Sequence, residues 1–192
     1  MKIYKITENI DIVQWVLPRV SEDRILKLLT FDCELKGNAY ENINWYIHNP
    51  KKKRSNFYMG INGALIFDKV VYDSEIYTSL EMAGEILKIK MENGECLFVL
   101  NVMECINILD YNKTIWNYYD DGSRGRILEY AFYNEGVSES TLFKIPETSS
   151  VDIFTYSEAK HQNDEFYFLY KQFGFTGLNF EEIKTFPISD RS

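Results

Sequence analysis

The chain has few of the residues that make catalysis legible. Of 192 residues only two are histidines, His48 and His161, and neither has a second His, Cys or carboxylate at a spacing that one helix or strand would turn into a metal site. His161 with Asp164 and Glu165 is the nearest approach to an acid/base pair, and its amphipathic setting reads as a solvated helix face. Cys33, Cys96 and Cys105 are an odd number without C-x-x-C spacing, and two of them sit in the most apolar part of the chain. They read as small buried hydrophobes, not as a metal or redox site. No G-x-S-x-G elbow, Walker loop or dinucleotide fingerprint is present. The adjacent pairs Asp120-Asp121, Asp164-Glu165 and Glu181-Glu182 would point to opposite faces of a strand, so none alone makes a two-carboxylate hydrolytic site, and all read as surface charges. The sequence therefore predicts no catalytic residue, no metal ligand and no cofactor.

Long apolar runs are missing too. No segment reaches 18 consecutive apolar residues, and Lys2, Lys5, Glu8 and Asp11 interrupt the place where a signal peptide would need its apolar region. The expectation is a cytoplasmic protein with no membrane contact. Basic charge is scarce: 21 Lys and Arg against 29 Asp and Glu, a net charge of −8. The one basic cluster, Lys51-Lys52-Lys53-Arg54, is flanked by Asn-Pro and Ser-Asn and reads as a solvated loop. Gly122-Ser123-Arg124-Gly125-Arg126 follows two aspartates that would repel phosphate, so it reads as a hairpin loop and not as an anion cradle. No nucleic-acid partner is expected. The acidity is uneven: residues 1–100 carry 13 basic and 14 acidic side chains, residues 101–192 carry 8 and 15, so −7 belongs to the second half. That half favours a basic partner, although mild acidity also serves solubility.

What the chain does have is apolar bulk, with 45% hydrophobic and 16% aromatic residues, enough for a packed core. The pattern predicts an α+β fold, mostly antiparallel sheet built around a central hairpin, with about three helices including one near the C-terminus. A single domain over 1–192 is the simplest organisation; a division into 1–84 and a β-rich 85–192 is the alternative. The hairpin joins Ile86–Met91 to Cys96–Val102 across Asn93-Gly94, a dipeptide suited to a type I′ turn. Cys96-Leu97-Phe98-Val99-Leu100 is apolar without alternation, as in a strand covered on both faces. Before it come strands in residues 1–17, a short helix after Ser21, a strand within Asn42–His48, and a strand pair around Asn62-Gly63. A helix over Asp68–Ala83 then buries Val71, Ile76, Leu80 and Ala83 and ends at an αL Gly84.

Beyond Asp110, runs at Thr114–Tyr119, Arg126–Asn134, Thr141–Ile145 and Val151–Tyr156 read as an antiparallel meander, with Leu128, Tyr130 and Phe132 on one face. Ser157 would cap a final helix whose Phe166, Leu169, Tyr170 and Phe173 share a side. Gly174-Phe175 has the form of a Schellman stop, and a strand over Leu178–Phe186 ends at Pro187.

A series of short motifs adds to this: Lys51–Arg54 before Asn56-Phe57, then Ala64-Leu65-Ile66-Phe67-Asp68-Lys69-Val70, Gly84-Glu85-Ile86-Leu87, Leu100-Asn101-Val102, Ile108-Leu109-Asp110, Leu142-Phe143-Lys144-Ile145-Pro146, Asp152-Ile153-Phe154 and Gly174–Phe180. Over roughly residues 50–185 this order resembles a bacterial immunity-protein family, formerly a domain of unknown function, found beside polymorphic toxins. One departure is Tyr111-Asn112-Lys113-Thr114 after Asp110, where a further acidic residue and a serine belong. The resemblance implies a protein that neutralises a cognate toxin by stoichiometric binding, with no catalytic residues to carry over. Asp120 and Asp121, in the most exposed-looking acidic loop, are the candidate contacts to a toxin expected to be basic. The competing readings are an enzyme whose site is assembled from distant residues, marked by a deep pocket lined by His48 or His161 with a carboxylate, and an adaptor or scaffold.

Overall fold

The protein is seen in a computed structural model that describes residues 1–20, 31, 33–40, 42–134, 138–148, 151–158 and 162–187. The expected helix after Ser21, and His161, lie outside the described residues.

The hairpin of β6 (Gly84–Met91) and β7 (Cys96–Val102) holds the middle of a six-stranded sheet. On one side lie β3 (Asn44–Ile47) and β2 (Val16–Pro18); on the other lie β5 (Ala64–Phe67) and β4 (Phe57–Tyr58), giving the order β2-β3-β6-β7-β5-β4. Residue 84 thus falls inside this sheet, with strands from both sides of it as neighbours. All pairs are antiparallel except β3 with β6. The two ends of the sheet then meet. Trp15 bridges Met59, the Val16 amide donates to the Met59 carbonyl at 2.8 Å, and the Met59 amide donates to the Gln14 carbonyl at 3.1 Å. The result is a closed ring in which the two end strands, β2 and β4, meet each other.

β7 has six buried residues of seven, and their alternation explains why its sequence has none of its own. Leu97 and Val99 point into the ring, joining Val16, Trp45, Tyr58, Ile66 and Ile89, while Phe98, Leu100 and Val102 point outward into a second cluster. Each such fully buried side chain stabilises the fold by about 1.5–3 kcal/mol.

The turn between β6 and β7 differs from the expected type I′. Met91 lies opposite Glu95, so the loop has three residues; the Gly94 amide donates to the Met91 carbonyl at 3.0 Å, and only Gly94, at φ 86°, leaves the right-handed region. This is a type I turn closed by a glycine bulge.

The segment 68–83 forms two helices instead of one. Asp68 caps α1 (Lys69–Tyr72), its Oδ1 accepting from the Val71 amide at 3.1 Å, and α2 (Ile76–Ala83) follows a break at Asp73–Glu75. Val71, Ile76, Leu80 and Ala83 are all buried as expected. Gly84 is not αL but extended, at φ 163°. A side chain is excluded because a Cβ would stand 2.0 Å from the Asn101 carbonyl oxygen.

A second sheet has the order β10-β13-β1-β12-β11, built from β1 (Lys2–Glu8), β10 (Ala131–Tyr133), β11 (Leu142–Phe143), β12 (Ile153–Ser157) and β13 (Leu178–Phe186). The predicted meander holds only in pairs: residues 115–118 with 124–129, and β11 with β12, are antiparallel neighbours as expected, but β10 does not pair with β11 and lies parallel to β13 instead. Helices α1, α2 and α3 (Phe166–Gln172) pack between this sheet and the ring, in a cluster that takes Ile6 and Ile153 from one side and Leu65, Phe67 and Leu100 from the other. The opposite face of the second sheet carries a third cluster of Ile3, Phe132, Phe143, Phe154 and Ile183.

α3 ends in the Schellman motif that Gly174-Phe175 predicts. The Phe175 amide donates to the Tyr170 carbonyl and that of Gly174, at φ 65°, to Lys171, both at 3.1 Å; Phe175 is buried. Its start is not capped by Ser157, which lies in β12. The Phe166 amide instead donates to Thr141 Oγ1 at 3.1 Å, and that oxygen also meets Ser79 Oγ of α2 at 2.6 Å. Phe173 is exposed, and the chain kinks at Tyr130, so Phe132 is buried while Leu128 is exposed. Nor are the cysteines buried: Cys33 and Cys96 are half-buried and Cys105 is exposed, because Cys96 begins β7 beside the turn and Cys105 lies past its end.

Candidate interaction surface

The residues after Asp110 form a ribbon that belongs to neither sheet, β8 (Ile115–Tyr118) paired antiparallel with β9 (Arg124–Glu129). Asp110, itself buried, launches it: its Oδ1 accepts from the Asn112 and Lys113 amides, and its backbone amide donates to the Ala131 carbonyl at 2.8 Å. The inner face is anchored by Trp116, Ile127 and Tyr130 against the third cluster. Tyr111 stacks on Trp116 at 5.9 Å between centroids, and the Arg124 guanidinium sits 5.3 and 5.2 Å from the two rings.

Asp120 and Asp121 lie exposed at the tip of this ribbon, and the structure separates their roles. The turn repeats the one at Gly94: Gly122, at φ 82°, donates to the Tyr119 carbonyl at 2.9 Å. Asp121 Oδ1 accepts from Ser123 Oγ at 2.6 Å and from its amide at 2.9 Å, as Asn93 Oδ1 does from Glu95. Those bonds hold the Asp121 carboxyl below its ordinary range. Asp121 is thus a turn former, whereas Asp120 makes no side-chain hydrogen bond among the described residues.

Along this ribbon and just before it lie Tyr111, Ile115, Tyr118, Tyr119 and Leu128, five of the thirteen large apolar side chains left exposed among the described residues. Their concentration on one small element makes the ribbon the candidate interaction surface. The sequence reading found the aspartates and missed these neighbours, since the alternation of Thr114–Tyr119 does not say which face the core will take. The ribbon is locally neutral, with Lys113, Arg124 and Arg126 against Asp120, Asp121 and Glu129.

Part of the acidity of the second half is paired with the molecule's own cations, some of it at the surface. Asp152 pairs with Lys5 at 3.0 Å and accepts from Tyr130 Oη, whose own titration burial and Asp152 push up; Glu129 pairs with Lys184 and Glu158 with Lys2. Glu165 is not a surface charge: it is buried, and its Oε2 accepts from the amide of Glu158, a residue held at φ 61°. Asp120, Asp121, Glu181 and Glu182 remain exposed.

A second, smaller apolar patch is formed by Ile10, Ile12 and Trp15, with His48 exposed and 6.0 Å from the Trp15 ring. The basic loop borders it. Lys52 donates to the Ile10 carbonyl and Arg54 pairs with Glu95 at 2.8 Å, which makes this loop a structural strap as well as a charged one.

One cleft, about 460 Å³ including its open mouth, lies where β1 and β12 approach the turn before β5, lined by Lys5, Glu8, Asn62, Gly63 and Asp152 among others. His48 is not among its walls. Its Lys5 amine is paired with Asp152, Glu8 is a carboxyl raised by burial, and Thr7 supplies a hydroxyl with no histidine among the lining residues to activate it. Among the described residues no group of three or more His, Cys, Asp or Glu side chains could hold a metal, and no helix is long and apolar enough to cross a membrane. No protein-family model matches the chain, and no curated protein matches it.

Proposed function

We propose that this protein binds and neutralises a basic protein toxin stoichiometrically, in the manner of the immunity-protein family that its motif order resembles. The observation that carries the reading is the set of exposed apolar side chains on and beside the β8–β9 ribbon, with Asp120 exposed at its turn, on a chain of net charge −8. Apolar side chains at the centre of such a contact supply affinity, and rim carboxylates supply orientation and on-rate. A complex of standard size buries about 1,600 Å² in total, more than the ribbon alone presents, so flanking surface also takes part. The cytoplasm, where a producing cell would meet its own toxin, is the compartment that fits.

Co-expression with the C-terminal domain of the toxin encoded beside this gene tests the proposal. Growth is restored, the two proteins elute as a one-to-one complex, and association slows as salt rises, because the Debye length is already about 8 Å at 0.15 M. Charge removal at Asp120 lowers the on-rate more than it raises the off-rate. Rescue without any complex between the purified proteins would sink the binding mechanism and favour an enzymatic one.

A further inference from the structure

We infer that the outer edge of β8 accepts an extended, basic segment of the partner as an added strand, so that recognition proceeds through backbone pairing on this ribbon. The inference rests on the reading of the protein as a binder of a basic partner and says where and how that partner docks.

Among the described residues the outermost strands of both sheets have partners on their outer sides. The ring closes on itself through Trp15 and Met59. In the second sheet, β10 is bridged by Leu109 and takes backbone bonds from the Ile108–Asp110 segment, and β11 is flanked by the Cys105–Lys144 bridge. Among the described residues the ribbon strands pair only with each other.

The two ribbon edges are unequal. β9 carries Arg124, Arg126 and Glu129, and it holds the extra residue at both register shifts: Ile115 to Trp116 on β8 spans Glu129 to Ile127, and Trp116 to Tyr118 spans Ile127 to Arg124. Charges and bulges are the devices that keep an edge from pairing. β8 has neither. From Thr114 to Tyr119 it reads Thr-Ile-Trp-Asn-Tyr-Tyr, uncharged, without proline, and, Asn117 apart, of residue types that favour strands.

Ile115, Asn117 and Tyr118 are exposed, and a two-stranded ribbon gains most from a third strand. The ribbon itself is neutral, but the whole chain's net charge of −8 disfavours a second copy as occupant and favours a cationic segment, with Asp120 exposed at the turn to meet it. The cations of β9 would face such a segment only across β8.

Two arms test this. In the first, isotope-labelled protein is titrated to millimolar concentration with a synthetic eight-residue peptide of alternating lysine and valine. Amide shifts centred on residues 115–118 are expected, with exchange of those amides slowed roughly tenfold or more. Shifts confined to other surfaces, or none, overturn the open edge. In the second arm, the neighbouring toxin domain is bound to wild-type protein and to an Ile115→Lys/Asn117→Lys variant, which places two cations on the exposed face of β8 without touching the core. Its affinity falls on the order of 100-fold, through lost strand pairing and like-charge repulsion, while its denaturation midpoint stays at the wild-type value. A toxin complex with normal affinity for the variant, or with exchange protection elsewhere, overturns strand addition and leaves the neutralisation reading standing. Peptide binding at β8 without a toxin complex supports the edge and removes the toxin. Concentration-dependent dimerisation that protects residues 115–118 overturns the choice of occupant.

Discussion

Gly84→Ala is the sharpest test of the packing described above, because the site requires glycine for space and not for backbone conformation. A Cβ there would stand 2.0 Å from the Asn101 carbonyl oxygen and 2.8 Å from the Met103 nitrogen, both main-chain atoms of the paired strand, when ordinary contact begins at 3.4 Å. The shortfall of 1.4 Å cannot be absorbed by turning a side chain. Either α2 withdraws or β7 moves, and the bonds from the Met103 and Glu104 amides to the Ala83 carbonyl weaken with it. Overpacking of this kind costs about 1–3 kcal/mol and each weakened bond about 1 kcal/mol, so about 3–5 kcal/mol is expected. Gly94→Ala is the internal control. Its Cβ meets nothing within 4 Å, and the only penalty is an alanine held at φ 86°, about 1–2 kcal/mol. In urea, with a slope of about 2 kcal/mol per molar, the first variant loses roughly 1.5–2.5 M of midpoint and the second roughly 0.5–1 M. A Gly84→Ala variant no less stable than Gly94→Ala would refute the close approach of Gly84 to the Asn101–Met103 backbone.

Thr141→Val keeps the volume but leaves the Phe166 amide and the Ser79 hydroxyl without their buried partner, so a loss of about 2 kcal/mol in denaturant is expected, against near-neutrality for Thr141→Ser, which keeps the oxygen. Glu8→Gln tests the raised carboxyl beside the cleft. Because folding raises its pKa above the ordinary 4.5, ionised Glu8 opposes folding above that pH; the variant is therefore more stable than the wild type at pH 7, and the gap closes as pH falls below 4.5. A gap that persists at pH 3 would show that charge is not its cause.

Local pattern was enough to read the β6–β7 hairpin, the inward face of α1 and α2, the Schellman end of α3 and the limits of β13. Each depends on neighbours within about a turn or a strand, where the periods of 3.6 and 2 are informative. What escaped depends on distant partners. The α3 start takes its hydrogen bond from Thr141, 25 residues away, so the nearer Ser157 looked like the cap. Lys144 is fully buried with its Nζ on the Phe31 carbonyl at 2.8 Å, an environment no lysine advertises in a sequence. Asn93-Gly94 marked the turn correctly, but the register that makes Met91 face Glu95 decided its type. At the surface, Asp120 and Asp121 were readable as an exposed loop. The asymmetry between β8 and β9 was not, because the bulges exist only once the strands are paired.

The position of β1 between β12 and β13 bears on how the chain is made. Residues 2–8 leave the ribosome early, yet their two hydrogen-bonding partners span residues 153–157 and 178–186. At synthesis rates of about 5–20 residues per second, this strand waits roughly ten to thirty seconds before its partners emerge. The ring needs nothing beyond residue 102 for its six strands and can assemble in that interval, holding β1 tethered to a finished body. A stalled ribosome or a nonsense codon that removes β13 would then leave β1 paired with β12 along one edge and bare along the other, the form of the protein that chaperones and proteases would meet.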